Sequence, residues 1–187
     1  EAEAGHRMEA VLILLARSDV DYVSVKLSAI YSQIHAVAFE ESLAAAKQKL
    51  RALYRAALPG GKFVNLDMEE YRDLSLTMAA FCSVLEEPEF LNARAGIVLQ
   101  AYLPDSWDAL QMLTDWALKR VASGGSPVKV RLVKGANLAM ESVEAELHGW
   151  APAPYATKVE TDANFRRMLD YACRPEHVEA VRIGVAS

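Results

Sequence analysis

Five short runs rich in Val, Ile and Leu, separated by longer segments of helical period, set the fold class of this chain. The runs lie at residues 22–28, 63–67, 96–102, 128–133 and 180–186. Between them, apolar residues recur every three or four positions, as in Leu43, Ala46, Leu50, Leu53, Tyr54 and Ala57. That spacing is one face of an α-helix. It predicts helices over residues 2–17, 39–58, 70–85, 106–121, 138–148 and 161–172, with breaks at Pro59-Gly60-Gly61, Glu86-Glu87-Pro88, Gly124-Gly125 and the Pro-rich stretch 149–154. Strands and helices that alternate with short links make parallel strands joined by crossover helices.

No G-x-G-x-x-G follows the first strand and no P-loop occurs anywhere, so both common nucleotide-binding sheets lose ground to a (β/α)8 barrel. Such barrels take about 250 residues. Five strands in 187 residues therefore read as a partial (β/α)8 TIM-like barrel, with residues 1–187 as one domain. The strand–helix units differ in sequence, which excludes a solenoid. With 52% apolar and 24% charged residues the composition is globular. A net charge of −5 without a basic cluster argues against nucleic acid as a partner. No apolar run approaches the roughly 20 residues of a spanning helix, and no signal peptide is recognisable. Cys82 and Cys173 stand alone inside expected helices, match neither a C-x-x-C site nor a disulfide framework, and suggest a reducing, cytoplasmic setting.

In a parallel α/β fold the site lies beyond the carboxyl ends of the strands. Lys26 is late in the first strand, Asp67 ends the second, and Gln100 is late in the third. The fourth strand holds Arg131 and runs into Lys134-Gly135-Ala136. Strands covered on both faces are nearly all apolar, so a charge inside one must be paired or serve a site. Singly, each of these residues reads as a loop cap, a barrel-mouth ion pair or a core hydrogen bond. Four successive strands that deliver Lys, Asp, Gln and Arg to one rim point to function. The set suits an anionic or heterocyclic ligand. Lys26 and Arg131 are cationic, Asp67 balances one of them, and Gln100 both donates and accepts. Gly135 opens a loop-to-helix entry where main chain can approach a phosphate. The four histidines, His6, His35, His148 and His177, scatter outside the strands; they read as surface residues, and no metal site is expected. Ser24, Ser28 and Ser32 have no evident general base, which speaks against a nucleophilic serine. Trp107, Trp116 and Phe165 sit at helical spacing with Leu and Met and read as core.

At these residues a family is recognisable. Residues 25–29 (Val-Lys-Leu-Ser-Ala), 64–69 (Val-Asn-Leu-Asp-Met-Glu), 98–102 (Val-Leu-Gln-Ala-Tyr) and 130–136 (Val-Arg-Leu-Val-Lys-Gly-Ala) together resemble the proline dehydrogenase domain. The similarity is greatest to the domain within bifunctional proline utilisation A enzymes. Glu141, residues 155–164 and residues 184–187 (Gly-Val-Ala-Ser) follow in the family's order, so the resemblance covers essentially the whole chain. Each stretch alone is weak, the Arg-Leu-Val-Lys-Gly-Ala run is fairly specific, and all of them in order are strong.

The resemblance implies a distorted (β/α)8 barrel that binds FAD non-covalently and oxidises L-proline to Δ1-pyrroline-5-carboxylate, with hydride passing from proline C5 to flavin N5. By position it implies that Lys26 contacts the substrate carboxylate, that Asp67 lies near the proline ring, and that Gln100 meets the isoalloxazine. Arg131 stands close to flavin N5, where a cation favours the electron-rich reduced form. Lys134, Gly135 and Ala136 fall where the family holds FAD, and Leu66 lines the flavin pocket. The resemblance further implies a quinone acceptor, a peripheral contact at the inner face of the membrane, and an aldehyde dehydrogenase domain fused in the full-length protein. Where many relatives carry an aromatic residue after Lys-Gly-Ala, this chain has Asn137. Relatives also carry a histidine-asparagine pair beyond residues 184–187 and an arginine pair further on, and the sequence ends before both. In the family's register the expectation is therefore the central part of a catalytic domain, about strands two to six, inactive by itself. Two other classes compete: a non-catalytic α/β interaction module that uses open sheet edges, and an aldolase with Lys26 or Lys134 as Schiff-base former.

Overall fold

The structure, a computed structural model, describes residues 2–34 and 38–186. His35 and Ser187 lie outside the described residues. The elements run α1 (Ala2–Ala16), β1 (Tyr22–Lys26), α2 (Leu27–Ile30), α3 (Phe39–Ala57), β2 (Phe63–Asp67), α4 (Leu74–Leu85), β3 (Arg94–Gln100), α5 (Ser106–Ala122), β4 (Val128–Val133), α6 (Leu138–His148), α7 (Lys158–Ala172) and β5 (Val181–Val185). The five strands form one parallel sheet in the order β1-β2-β3-β4-β5. A doubly wound sheet reverses its strand order midway and so carries helices on both faces. This sheet never reverses, and right-handed crossovers then place the helices on one face. That winding is the one that closes into a (β/α)8 barrel.

Side chains alternate across a strand, and the two faces differ accordingly. Val23, Val25, Val64, Leu66, Ile97, Leu99, Val130, Leu132 and Val181 point at the helices and are buried. They form one core with Leu50, Leu53, Tyr54, Phe81, Leu110, Leu113 and Met168. Burying a side chain of this size contributes about 1.5–3 kcal/mol. The other face carries Ser24, Lys26, Asn65, Asp67, Gln100, Lys129 and Arg131, residues that an apolar core would not tolerate unpaired.

Element ends differ from the sequence reading for local reasons. β1 stops at Lys26 because Leu27 and Ile30, three apart, are both buried in a helical turn. Ala101 and Tyr102 lie past the end of β3, yet their amides still donate to the Val133 and Lys134 carbonyls at 2.8 and 2.7 Å. A 3-10 turn, Tyr71–Asp73, precedes α4. Thr157 caps α7 through a capping box with Glu160, so the helix begins at Lys158 rather than at 161. His177 is buried, its Nδ1 2.8 Å from the Tyr171 carbonyl, which corrects the surface reading; His6 and His148 are exposed. Arg120 is buried as well. Its guanidinium donates to the carbonyls of Phe90, Leu91, Ser126 and Leu85 and so joins the end of α4 to two loops.

Candidate active site

At the carboxyl ends of the strands the polar face opens into a cleft of about 380 Å³. Lys26, Asp67, Gln100, Arg131, Lys134, Gly135 and Ala136 all line it. Register explains the convergence: Lys26 stands opposite Asp67 in the β1–β2 pair, and Val98 opposite Arg131 in the β3–β4 pair. These residues share one face of the sheet, and Gln100 joins them two positions after Val98.

Asp67 is the most heavily engaged of the set. Its carboxylate accepts from the Arg131 guanidinium and from Ser24 Oγ, the latter at 2.7 Å. Buried Asn65 donates through Nδ2 to Ser24 Oγ at 2.9 Å and to Asp67 Oδ1 at 3.4 Å. A carboxylate thus does stand beside Ser24, contrary to the sequence reading, but it is already committed to a cation. Sequence reasoning weighed Ser24 only as a nucleophile and gave Asn65 no role. The signal available was their parity, since residues two apart in a strand share a face.

Lys26 Nζ lies 2.7 Å from Glu69 Oε1, with both side chains nearly half exposed. Gln100 is almost wholly buried and ties two loops to the cleft. Its Nε2 donates to the Glu69 carbonyl at 3.1 Å, and its Oε1 accepts from the Ala136 amide at 3.4 Å. The loop after β2 is fastened again at Tyr71, whose amide donates to Glu141 Oε1 at 2.7 Å and whose hydroxyl donates to Asp105 Oδ2 at 2.6 Å. That bond to Asp105 raises the Tyr71 phenol above its ordinary range. Lys134 Nζ lies 2.6 Å from Asp162 Oδ1 on α7. Lys134 and Lys158 together hold the Asp162 carboxyl below the usual carboxylate range. Gly135 has φ +142°, and a side chain there would overlap the ring of Tyr102. Burial pushes the Tyr102 phenol up to about 12.

Leu66 requires a correction. Its side chain is fully buried against the helices, one position out of phase with Asn65 and Asp67. It therefore does not line the cleft, and only its main chain is close to that face. Met68, Glu69 and Val98, given no role in the sequence reading, do line it, and so does Asn137, which departs from the family pattern.

Two buried atoms on this face, Arg131 Nε and Asn65 Oδ1, have no hydrogen-bond partner among the described residues. A free donor flanked by the apolar Val98 and Val133 fits a planar heterocycle with acceptor atoms. The residues present thus fit FAD. Among the described residues no group of His, Cys, Asp and Glu could hold a metal ion. Lys26 and Lys134 are both engaged in ion pairs, which weakens the Schiff-base reading.

Comparison with known proteins places the chain in a family. The sequence model of the proline dehydrogenase family matches residues 1–187. The bifunctional protein PutA of Klebsiella aerogenes is 27% identical over 145 residues, which is 76% of this chain and 11% of that protein. Proline utilization A from Corynebacterium freiburgense superposes with a TM-score of 0.95 at 54% identity, covering 100% of this chain and 19% of that one. The Bdellovibrio bacteriovorus protein, solved after inactivation by N-propargylglycine, gives 0.89 at 37% identity, covering 100% of this chain and 21% of its own. The chain thus spans a small part of the relatives it matches, and it is similar to them along its full length. By that match and by a sheet wound as theirs is, the chain belongs to the proline dehydrogenase family.

Proposed function

We propose that this chain forms the catalytic core of an FAD-dependent enzyme that oxidises L-proline to Δ1-pyrroline-5-carboxylate. Residues 1–187 supply strands two to six of the barrel within a longer protein. The observation that carries this reading is the convergence of Lys26, Asp67, Gln100 and Arg131 on one cleft in a chain of this family. Inactivation of the Bdellovibrio relative by N-propargylglycine supports an amino-acid substrate with a substituted nitrogen.

FAD, held there, would supply N5 as the acceptor for a hydride from proline C5. Lys26 binds the substrate carboxylate by charge. Asp67 faces the proline ring and fixes the direction of the Arg131 guanidinium. Arg131 keeps a positive charge, already oriented, where negative charge develops during the reaction, which needs no reorganisation at that moment. Gln100 meets the flavin ring and holds the loops on either side at a set spacing. Lys134, Gly135 and Ala136 hold the cofactor.

A quinone takes up the electrons, and an aldehyde dehydrogenase domain of the longer protein carries the product onward; the curated relatives are named as bifunctional. The protein works in the cytoplasm, with its contact to the membrane at the inner face. Among the described residues no helix is long and apolar enough to cross a membrane. Among the described residues the outer edges of β1 and β5 pair with no strand. Such edges recruit other chains, so the 187-residue chain alone is expected to associate and to leave proline unoxidised.

Anaerobic addition of proline to the purified full-length protein should bleach the oxidised-flavin absorbance. Lys26→Met should raise the KM for proline at least about tenfold, the loss of one charged contact to a carboxylate. A full-length protein that carries no flavin, or whose flavin proline leaves oxidised, would overturn the reading.

A further inference from the structure

We propose that Glu69 is a built-in competitor of the substrate: its carboxylate occupies the place on Lys26 that the proline carboxylate takes, and it must swing away for proline to bind. This inference rests on Lys26 being the carboxylate-binding residue of the reading above.

The charges at the mouth of the cleft are evenly matched. Arg131 is paired with Asp67, Lys26 with Glu69, and Lys134 with Asp162. An incoming carboxylate therefore meets no uncommitted cation among these three, and one pair has to open. Asp67 is the wrong acid to yield. It holds Arg131 and Ser24 at once, is backed by Asn65, and is three-quarters buried. Glu69 has the opposite character. Its carboxylate pairs with Lys26, and its side chain is 42% exposed, so water can solvate it when it leaves. Exposed ion pairs of this kind are weak and open readily.

The backbone of Glu69 does not have to move. Its carbonyl accepts from Gln100 Nε2, and Tyr71, two residues on, is tied to Glu141 and Asp105. Only the side-chain torsions change, which gives a two-position switch on a fixed stem. Nor does Glu69 suit the substrate nitrogen. Hydride loss from C5 draws on the nitrogen lone pair, and a carboxylate held against that nitrogen would favour its protonated form.

The test uses the full-length holoenzyme and calorimetric titration with tetrahydro-2-furoate, a five-membered ring carboxylate without the amine. Retained flavin absorbance establishes that each variant is folded. Glu69→Gln keeps the shape and removes the charge. It should tighten binding by about threefold, or about 0.65 kcal/mol, and lower the KM for proline by a similar factor. Lys26→Met should weaken binding, and Glu69→Gln added to it should bring no gain, because the competitor then has nothing to occupy. Weakened binding in Lys26→Met with unchanged or weaker binding in Glu69→Gln would overturn this proposal alone. Unchanged binding in Lys26→Met would remove both it and the role given to Lys26.

Discussion

The guanidinium of Arg131, on β4, donates to the carboxylate of Asp67, on β2, across the intervening strand β3. In the β3–β4 register Val98 stands beside Arg131, so the arginine reaches past an apolar residue to its acid. Its direction is set by that reach.

Arg131→Met in the full-length enzyme should lower proline turnover at least about tenfold, with FAD affinity falling less. A cation beside the flavin favours the reduced form over the oxidised one, and tenfold is only about 1.4 kcal/mol of transition-state stabilisation. Steady-state kinetics at saturating FAD check this. Near-normal turnover would take Arg131 out of the chemistry.

Gly135→Ala should distort the turn between β4 and α6. The backbone there has φ +142°, and the added methyl would run into the Tyr102 ring. Strain of this kind costs about 1–3 kcal/mol. The expected result is a full-length protein that purifies with a smaller share of bound flavin, measured by its absorbance ratio. Full flavin occupancy would show that the turn adapts.

Asp73 offers a pH test. It is 7% exposed, and burial first, then the charge of Glu70, pushes its carboxyl up to about 6, against about 3.9 in an unfolded chain. The folded state thus binds the proton more tightly, and stability falls as pH rises from about 4 to about 6. Asp73→Asn removes the penalty. The variant should be more stable at pH 7 by on the order of 2 kcal/mol, with the gain gone near pH 4. Denaturant unfolding of the full-length protein across that range measures it, and a gain independent of pH would refute the assignment.

Arg120→Met should be strongly destabilising. It strips a buried donor from the carbonyls of Leu85, Phe90, Leu91 and Ser126 together. Unsatisfied buried groups cost about 1–3 kcal/mol each, so a loss of about 3 kcal/mol or more of unfolding free energy is expected by denaturant titration. A shift below about 1 kcal/mol would mean that water replaces the guanidinium.

Much of this protein is written in local pattern. The period of two in residues 63–67 and 128–133, against the period of three to four in residues 39–58, determines strands and helices, and their alternation determines a parallel α/β winding. The same alternation already places Leu66 on the opposite face from Asp67, and Thr157 with Glu160 already marks the start of α7. Both were legible, because each depends on neighbours within a few residues.

The pairings were not legible in that way. Strand position alone puts Lys26, Asp67, Gln100 and Arg131 at one rim, since each stands late in a parallel strand. Assembly of the sheet settled that Arg131 takes Asp67, that Glu69 takes Lys26, and that Ser24 and Asn65 stand behind the acid. It also decided that His177 is buried while His6 is exposed. The physical reason is range. A strand's period follows from the sterics of adjacent residues, whereas an ion pair depends on side chains brought together across a sheet whose register the whole core sets.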